Sequence, residues 1–155
     1  MATEVFRRKT HLPLKQARQI IDTALAEARR QALEPLTVVV LDDGGHLVSA
    51  DSEDGSGVLR IQIAQGKAGA ALGFGVSSST VGERTQGRDA FVTGVAAASQ
   101  GRFVPVPGGV LVLDENQEII GAVGASGDTP GNDQACVLAG IDAAGLGIGL
   151  DAAEG

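Results

Sequence analysis

Residues 36–41, rich in β-branched side chains, run into Asp42, Asp43, Gly44 and Gly45, and the apolar pattern resumes over residues 46–50. Asp and Gly in tandem supply the backbone of a tight turn, so the segment reads as a β-hairpin. The arrangement recurs downstream as residues 110–113, then Asp114, Glu115, Asn116 and Gln117, then residues 119–125. Two hairpins make the sheet antiparallel, and the segments between them must cover its faces. Val38, Val39, Val40 and Leu41 scarcely alternate with polar residues, which predicts a central strand covered on both sides.

The covering elements are helical by spacing. Leu14, Ala17, Ile21, Ala24, Leu25, Ala28 and Ala32 fall on one face of a helix over residues 13–32, with Pro13 in its first turn. A second helix starts near Val58 and stops at Gly73 and Gly75. Ser77 to Thr80 offer caps for a third, over residues 80–98, which Gly82, Gly87 and Gly94 weaken. Residues 103–106 read as extended structure broken by prolines, with Pro107, Gly108 and Gly109 following. Thr129 and Pro130 form the cap and first position of a last helix that Gly145 closes. The fold class is α+β, in one domain over residues 12–146. Residues 1–11 and 147–155 are expected to be flexible flanks.

Composition limits the function classes. The 155 residues carry a net charge of −7 with a pI near 4.7, although residues 1–35 hold seven basic groups against four acidic ones. Such a surface disfavours nucleic acid and anionic membranes as partners. No apolar run reaches the length of a membrane span, and residues 1–16 lack the apolar core of a signal peptide. A single cysteine, Cys136, rules out an intramolecular disulfide, and with the absent export signal it points to the cytoplasm. The 23 glycines are about twice the usual share of ~7%. With no Trp or Tyr, the core must be aliphatic and small.

Familiar catalytic signatures fail. The window ending in Gly66 and Lys67 begins with Ile61 rather than Gly and continues with Ala68, so it is not a phosphate loop. Gly124, Ala125, Ser126, Gly127 approaches a nucleophile elbow, but Asp128 stands where the last glycine belongs. Asp51, Glu53 and Asp54 lack calcium-loop spacing, and no His or Cys pair is spaced for zinc. No protein-bound metal ion is expected.

Four segments together carry a resemblance: the opening LPLKQARQIIDTALAEARRQALEPLTVVVLDDGGHLVSAD, AQGKAGAALGFG, FVPVPGGVLV, and EIIGAVGASGDTPGNDQACVLAGIDAAGL. Their ordered set resembles the GlcG/HbpS haem-binding family, which includes the C-terminal domain of PduO-type proteins. The resemblance implies an antiparallel sheet of about five strands with helices packed on both faces. It further implies a homo-oligomer, from dimer to octamer, and binding of haem or a related small molecule. The chain departs from the family where an R-M-D-G-A type segment is common. Asp51, Ser52, Glu53, Asp54 and Gly55 put acids in place of the Arg and Met.

A haem iron needs an axial His, Cys, Met or Tyr, which leaves His11, His46, Cys136 and Met1. His46, after the glycine turn, is either a ligand or an exposed hairpin residue. His11 is an exposed polar residue or a ligand across a subunit interface, and Cys136 is a packed thiol or a ligand. Lys67 either extends to the surface or pairs with a carboxylate or a ligand anion. Arg84 and Arg88, four apart on the expected third helix, either grip a ligand's carboxylates from one face or form ordinary surface ion pairs. Ser126, Gly127 and Asp128 enter the last helix, whose N–H groups receive either an anion or their own caps. Gly108 and Gly109 form either a rigid corner or a pocket wall. The ligand-binding set is therefore His46, Lys67, Arg84, Arg88, Gly108, Gly109 and Ser126. The alternative is an enzyme or pathway accessory performing lyase- or isomerase-type proton transfer on a small organic acid, with Asp128, Lys67 and His46 as catalytic candidates.

Overall fold

The computed structural model describes residues 3–151. Helix α1 (Leu14–Arg30) leads into the hairpin β1 (Thr37–Asp42) and β2 (Leu47–Ser52), followed by α2 (Arg60–Phe74), α3 (Ser78–Arg84) and α4 (Asp89–Ala98). The second hairpin is β3 (Gly109–Leu113) and β4 (Ile119–Ser126), and the chain continues through α5 (Pro130–Ala143) to β5 (Gly147–Gly149). The strands form one antiparallel sheet in the order β2-β1-β4-β3-β5. The expected α+β architecture, with five strands and helices on both faces, is what the chain adopts.

Alternation along β1 divides the core in two. Val38 and Val40 face α1 and α5, packing with Ile20, Ile21, Val137 and Ile141, while Val39 and Leu41 face α2. The non-alternating run is a central strand, as its composition predicts. On its sheet side α2 presents Ala64, Ala68 and Ala71, so its backbone lies close to the strands. Gly75 closes α2 in the left-handed conformation at φ 73°. Thr129 caps α5, its Oγ1 accepting the Asn132 N–H.

Three local expectations need correction. The helix expected over residues 80–98 is two helices, because the chain turns at residues 85–88 with Gly87 at φ 74°. Residues 103–106 lie outside the sheet: Phe103 instead packs with Val76, Val81 and Ala70 beneath α3 and α4. The fifth strand comes from the glycine-rich C-terminal segment, where Gly147–Gly149 pair with β3. Beyond it the Ser77 N–H donates to the Leu150 carbonyl at 2.6 Å, and the Thr80 hydroxyl bonds Asp151. At the other terminus Met1, a candidate iron ligand, lies outside the described residues.

Candidate functional site

Apart from Arg84 and Arg88, the residues of the ligand-binding and catalytic sets separate to the two ends of β1. Thr37 pairs with Ser126 at one end, and Asp42 enters the His46 turn at the other. A six-residue strand at about 3.3 Å per residue puts roughly 17 Å between those ends. Lys67, Gly108, Gly109, Ser126 and Asp128 gather at the first end, while His46 stands at the second. Asp128, Lys67 and His46 therefore do not converge, and acid–base catalysis by that set has no geometry to work with.

At the first end Lys67 leaves the sheet side of α2 and is 2% exposed. Its ammonium donates to the Ala125 carbonyl at 2.8 Å and to Asp133 Oδ2 at 3.1 Å. Asp133 Oδ1 in turn accepts the Asp128 N–H at 2.9 Å, so one carboxylate links α2, β4 and the entry to α5. Burial pushes the Lys67 pKa below its ordinary 10.5, against the pull of the Asp133 carboxylate, and neighbouring Arg60 adds to the lowering. Gly108, at φ 128°, and Gly109 leave room for the lysine, since a Cβ on Gly108 would stand 2.8 Å from Lys67 Cδ. Of the readings open for Lys67, the structure takes pairing with a carboxylate.

Asp128 is also committed. Its carboxylate accepts Thr129 N–H at 2.8 Å, Asn132 Nδ2 at 2.7 Å and Glu34 N–H at 2.9 Å. The Asn132 bond is the largest reason its pKa falls below the ordinary carboxylate value. The helix entry thus receives its own caps. Glu53, where the sequence departs from the family pattern, is neutralised by Arg29 at 2.8 Å and accepts the Leu36 N–H at 2.8 Å.

Arg84 and Arg88 do not share a helix face. Arg84 ends α3, whereas Arg88 precedes α4 and lies over the Phe91 ring at 4.2 Å. Cys136 is fully buried, and burial, reinforced by surrounding carboxylates including Glu27 and Asp133, pushes its thiol up to about 11. A thiol so held is neither a ready nucleophile nor a ready iron ligand.

The second end carries both histidines. Asp42 Oδ1 accepts the backbone N–H of Gly44 and of His46, each at 2.9 Å, and lies 3.1 Å from His46 Nδ1. Partial burial works to raise the Asp42 carboxyl, but those hydrogen bonds and the imidazole outweigh it and hold it below its ordinary value. His11 Nδ1 lies 3.0 Å from Asp43 Oδ2 and Arg8 reaches Asp42 at 3.6 Å, bringing these two side chains against the turn. In the tautomer that carries its proton on Nδ1, facing the aspartate, the lone pair is on Nε2. His11 lines a cleft of about 480 Å³ with Pro13, Leu113, Ile120 and Leu146, and a second of about 290 Å³ with Arg8 and Lys9. His46, with its side chain 62% exposed, belongs to the wall of neither. Sequence reasoning weighted His46 over His11, because the His11–Asp43 pair spans 32 positions and leaves no local signal.

Comparison with known proteins agrees with this fold. A family model described as Haem degrading protein HbpS-like matches residues 12–142. Protein GlcG of Escherichia coli (strain K12) is 35% identical over 119 residues, which are 76% of this chain and 83% of GlcG. The crystal structure of Klebsiella pneumoniae protein ORFY superposes with a TM-score of 0.78 at 23% identity, covering 94% of this chain and 98% of that one. A PduOC structure, crystallised as a haem complex, superposes equally well at 0.78, with 21% identity over 88% of this chain and 96% of its own. With the family model spanning most of its length and GlcG at that identity, the chain belongs to the HbpS-like family.

Proposed function

We propose that the chain binds haem, or a planar organic ligand of the same kind, at the His11 end of the sheet. The observation that carries this reading is the His11–Asp43 pair on the wall of a cleft large enough to take part of a macrocycle. Among the described residues no three His, Cys, Asp or Glu side chains gather to hold a metal ion. Haem brings four nitrogens of its own and asks the protein for an axial ligand, which His11 Nε2 can supply. Pro13, Leu113, Ile120 and Leu146 offer apolar contact, and Arg8 and Lys9 on the adjoining cleft offer charge for propionates. Asp114 and Glu115, on the larger cleft, disfavour carboxylates there. When bound, haem supplies a redox-active iron, while the protein sets its axial ligand and surroundings. The family description and the PduOC haem complex support the same ligand class.

The test is a hemin titration followed in the Soret region. The expected result is a saturable red shift with the unaltered protein and His46→Ala, and its loss in His11→Ala. No shift with the unaltered protein, or identical titrations for the protein and His11→Ala, overturns the assignment.

A second observation supports self-association. Helix α4 is mostly Ala, Val and Phe, yet none of its residues is fully buried, and Phe74 beside it is 44% exposed. An apolar helix left so open favours a second copy as its cover. Sedimentation is expected to give a mass that is a multiple of 15.6 kDa; a monomer at all concentrations counts against it.

A further inference from the structure

Arg60, which opens α2, is placed unlike an ordinary surface arginine. Its Nη1 donates at 3.1 Å to the hydroxyl of Ser126, a residue 66 positions away and fully buried. Ser126 belongs to a row of hydroxyls crossing three strands, since Thr37 pairs with Ser126 on β4 and with Ser52 on β2. Thr37 Oγ1 contacts both Ser52 and Ser56 at 2.8 Å, which pins the loop leading to α2. The guanidinium of the half-buried Arg60 is thus anchored at Nη1 to the edge of the sheet.

Two cations lie at this corner, Lys67 and Arg60. Lys67, two helical turns on, is fully engaged with Asp133, and the Arg60 charge is felt at Lys67. Among the described residues Arg60 stands in no ion pair, and its guanidinium is held by the Ser126 hydroxyl rather than by a carboxylate. Immediately before it, Val58 and Leu59 are 89% and 66% exposed, giving an apolar lip beside an oriented cation.

We propose that Arg60 is a carboxylate-binding residue, positioned by Ser126, and that this corner takes a small monocarboxylic acid with an apolar body. A guanidinium presents parallel N–H donors that match a carboxylate in a bidentate fork, and Val58 and Leu59 cover the carbon chain. This site is at the opposite end of β1 from His11, and the proposal does not rest on the haem reading.

The test is a titration of the haem-free, 15N-labelled protein with sodium butyrate, sodium acetate and inorganic phosphate, following the Arg60 Nε–Hε resonance. Butyrate is expected to give a saturable shift, acetate a several-fold weaker one, and phosphate none that saturates in the same range. In Arg60→Gln the backbone resonances at this corner should report binding at least tenfold weaker, with the remaining amide spectrum preserved to show an intact fold. Ser126→Ala should weaken butyrate binding and Ser126→Thr should restore it, whereas Leu59→Ser should weaken butyrate but not acetate. Absence of saturation, or butyrate binding undiminished in Arg60→Gln, overturns the site. Phosphate binding as tightly as butyrate overturns the ligand class.

Discussion

Replacing Lys67 with methionine is expected to destabilise the protein strongly. The side chain keeps most of its volume, so the change removes the ammonium while leaving packing nearly intact. Asp133 then stays 1% exposed with Oδ2 unpaired, and the Ala125 carbonyl loses its donor. Removing one member of a buried ion pair costs about 3–5 kcal/mol, because the partner charge is left without compensation. Against a total stability of about 5–15 kcal/mol, that is a large fraction. For a chain of this size it corresponds to a fall in Tm of roughly 6–20 °C. Asp133→Asn should fall in the same range, since it weakens the contact with Lys67. The double variant Lys67→Met/Asp133→Leu should recover part of the loss, because no buried charge then remains, although the Asp128 N–H bond is still missing. Urea denaturation of the three variants gives the coupling energy. Single variants within 1 kcal/mol of the parent would show that the pair does not hold this corner together.

That pair also marks the boundary of what the sequence makes legible. Both hairpins, the central position of β1 and the caps of α5 follow from neighbouring residues, because turn chemistry and alternation are local. The break between α3 and α4 had a local sign in Gly87, but the apolar spacing on either side was nearly continuous and masked it. Strand β5 had no sign, since three residues containing two glycines become a strand only through the exposed edge of β3. Lys67 was conspicuous, yet spacing along one helix cannot reveal a partner 66 positions away on another element. Arg60 was missed outright, although it stands seven residues before Lys67 and therefore on the same face of α2. His46 and His11 were both candidate ligands in the sequence, whereas the Asp42 and Asp43 contacts and the cleft beside His11 arise only in the folded chain. The sequence is thus most informative about the frame and least about which polar groups are already paired. That question decides whether a candidate residue is free to meet a ligand.

Gly124→Ala is expected to be damaging even though a single methyl group is added. Gly124 lies on β4 with Gly109 and Val39 as its cross-strand partners, on the face that α2 covers. A Cβ there would overlap the Ala64 carbonyl oxygen and stand 3.1 Å from the Ala68 nitrogen. These are backbone atoms of a helix, so no side-chain rotation relieves the overlap. The whole helix must retreat, loosening the contacts of Ala64, Ala68 and Ala71 with Val39, Leu41 and Leu111. Overpacking usually costs about 1–3 kcal/mol, and a rigid obstruction belongs at or above the top of that range. A Tm lower by roughly 6–12 °C is expected. The control is Gly94→Ala, in the middle of α4, where an added Cβ has nothing within 4 Å. Alanine there removes the conformational cost of glycine in a helix and should stabilise by up to about 1 kcal/mol. Opposite signs for the same chemical change would show that α2 is held against the sheet by backbone proximity. Equal effects would mean that α2 can move freely, and Lys67 and Arg60, which it carries at fixed spacing, would then lose the rigid platform that aims them.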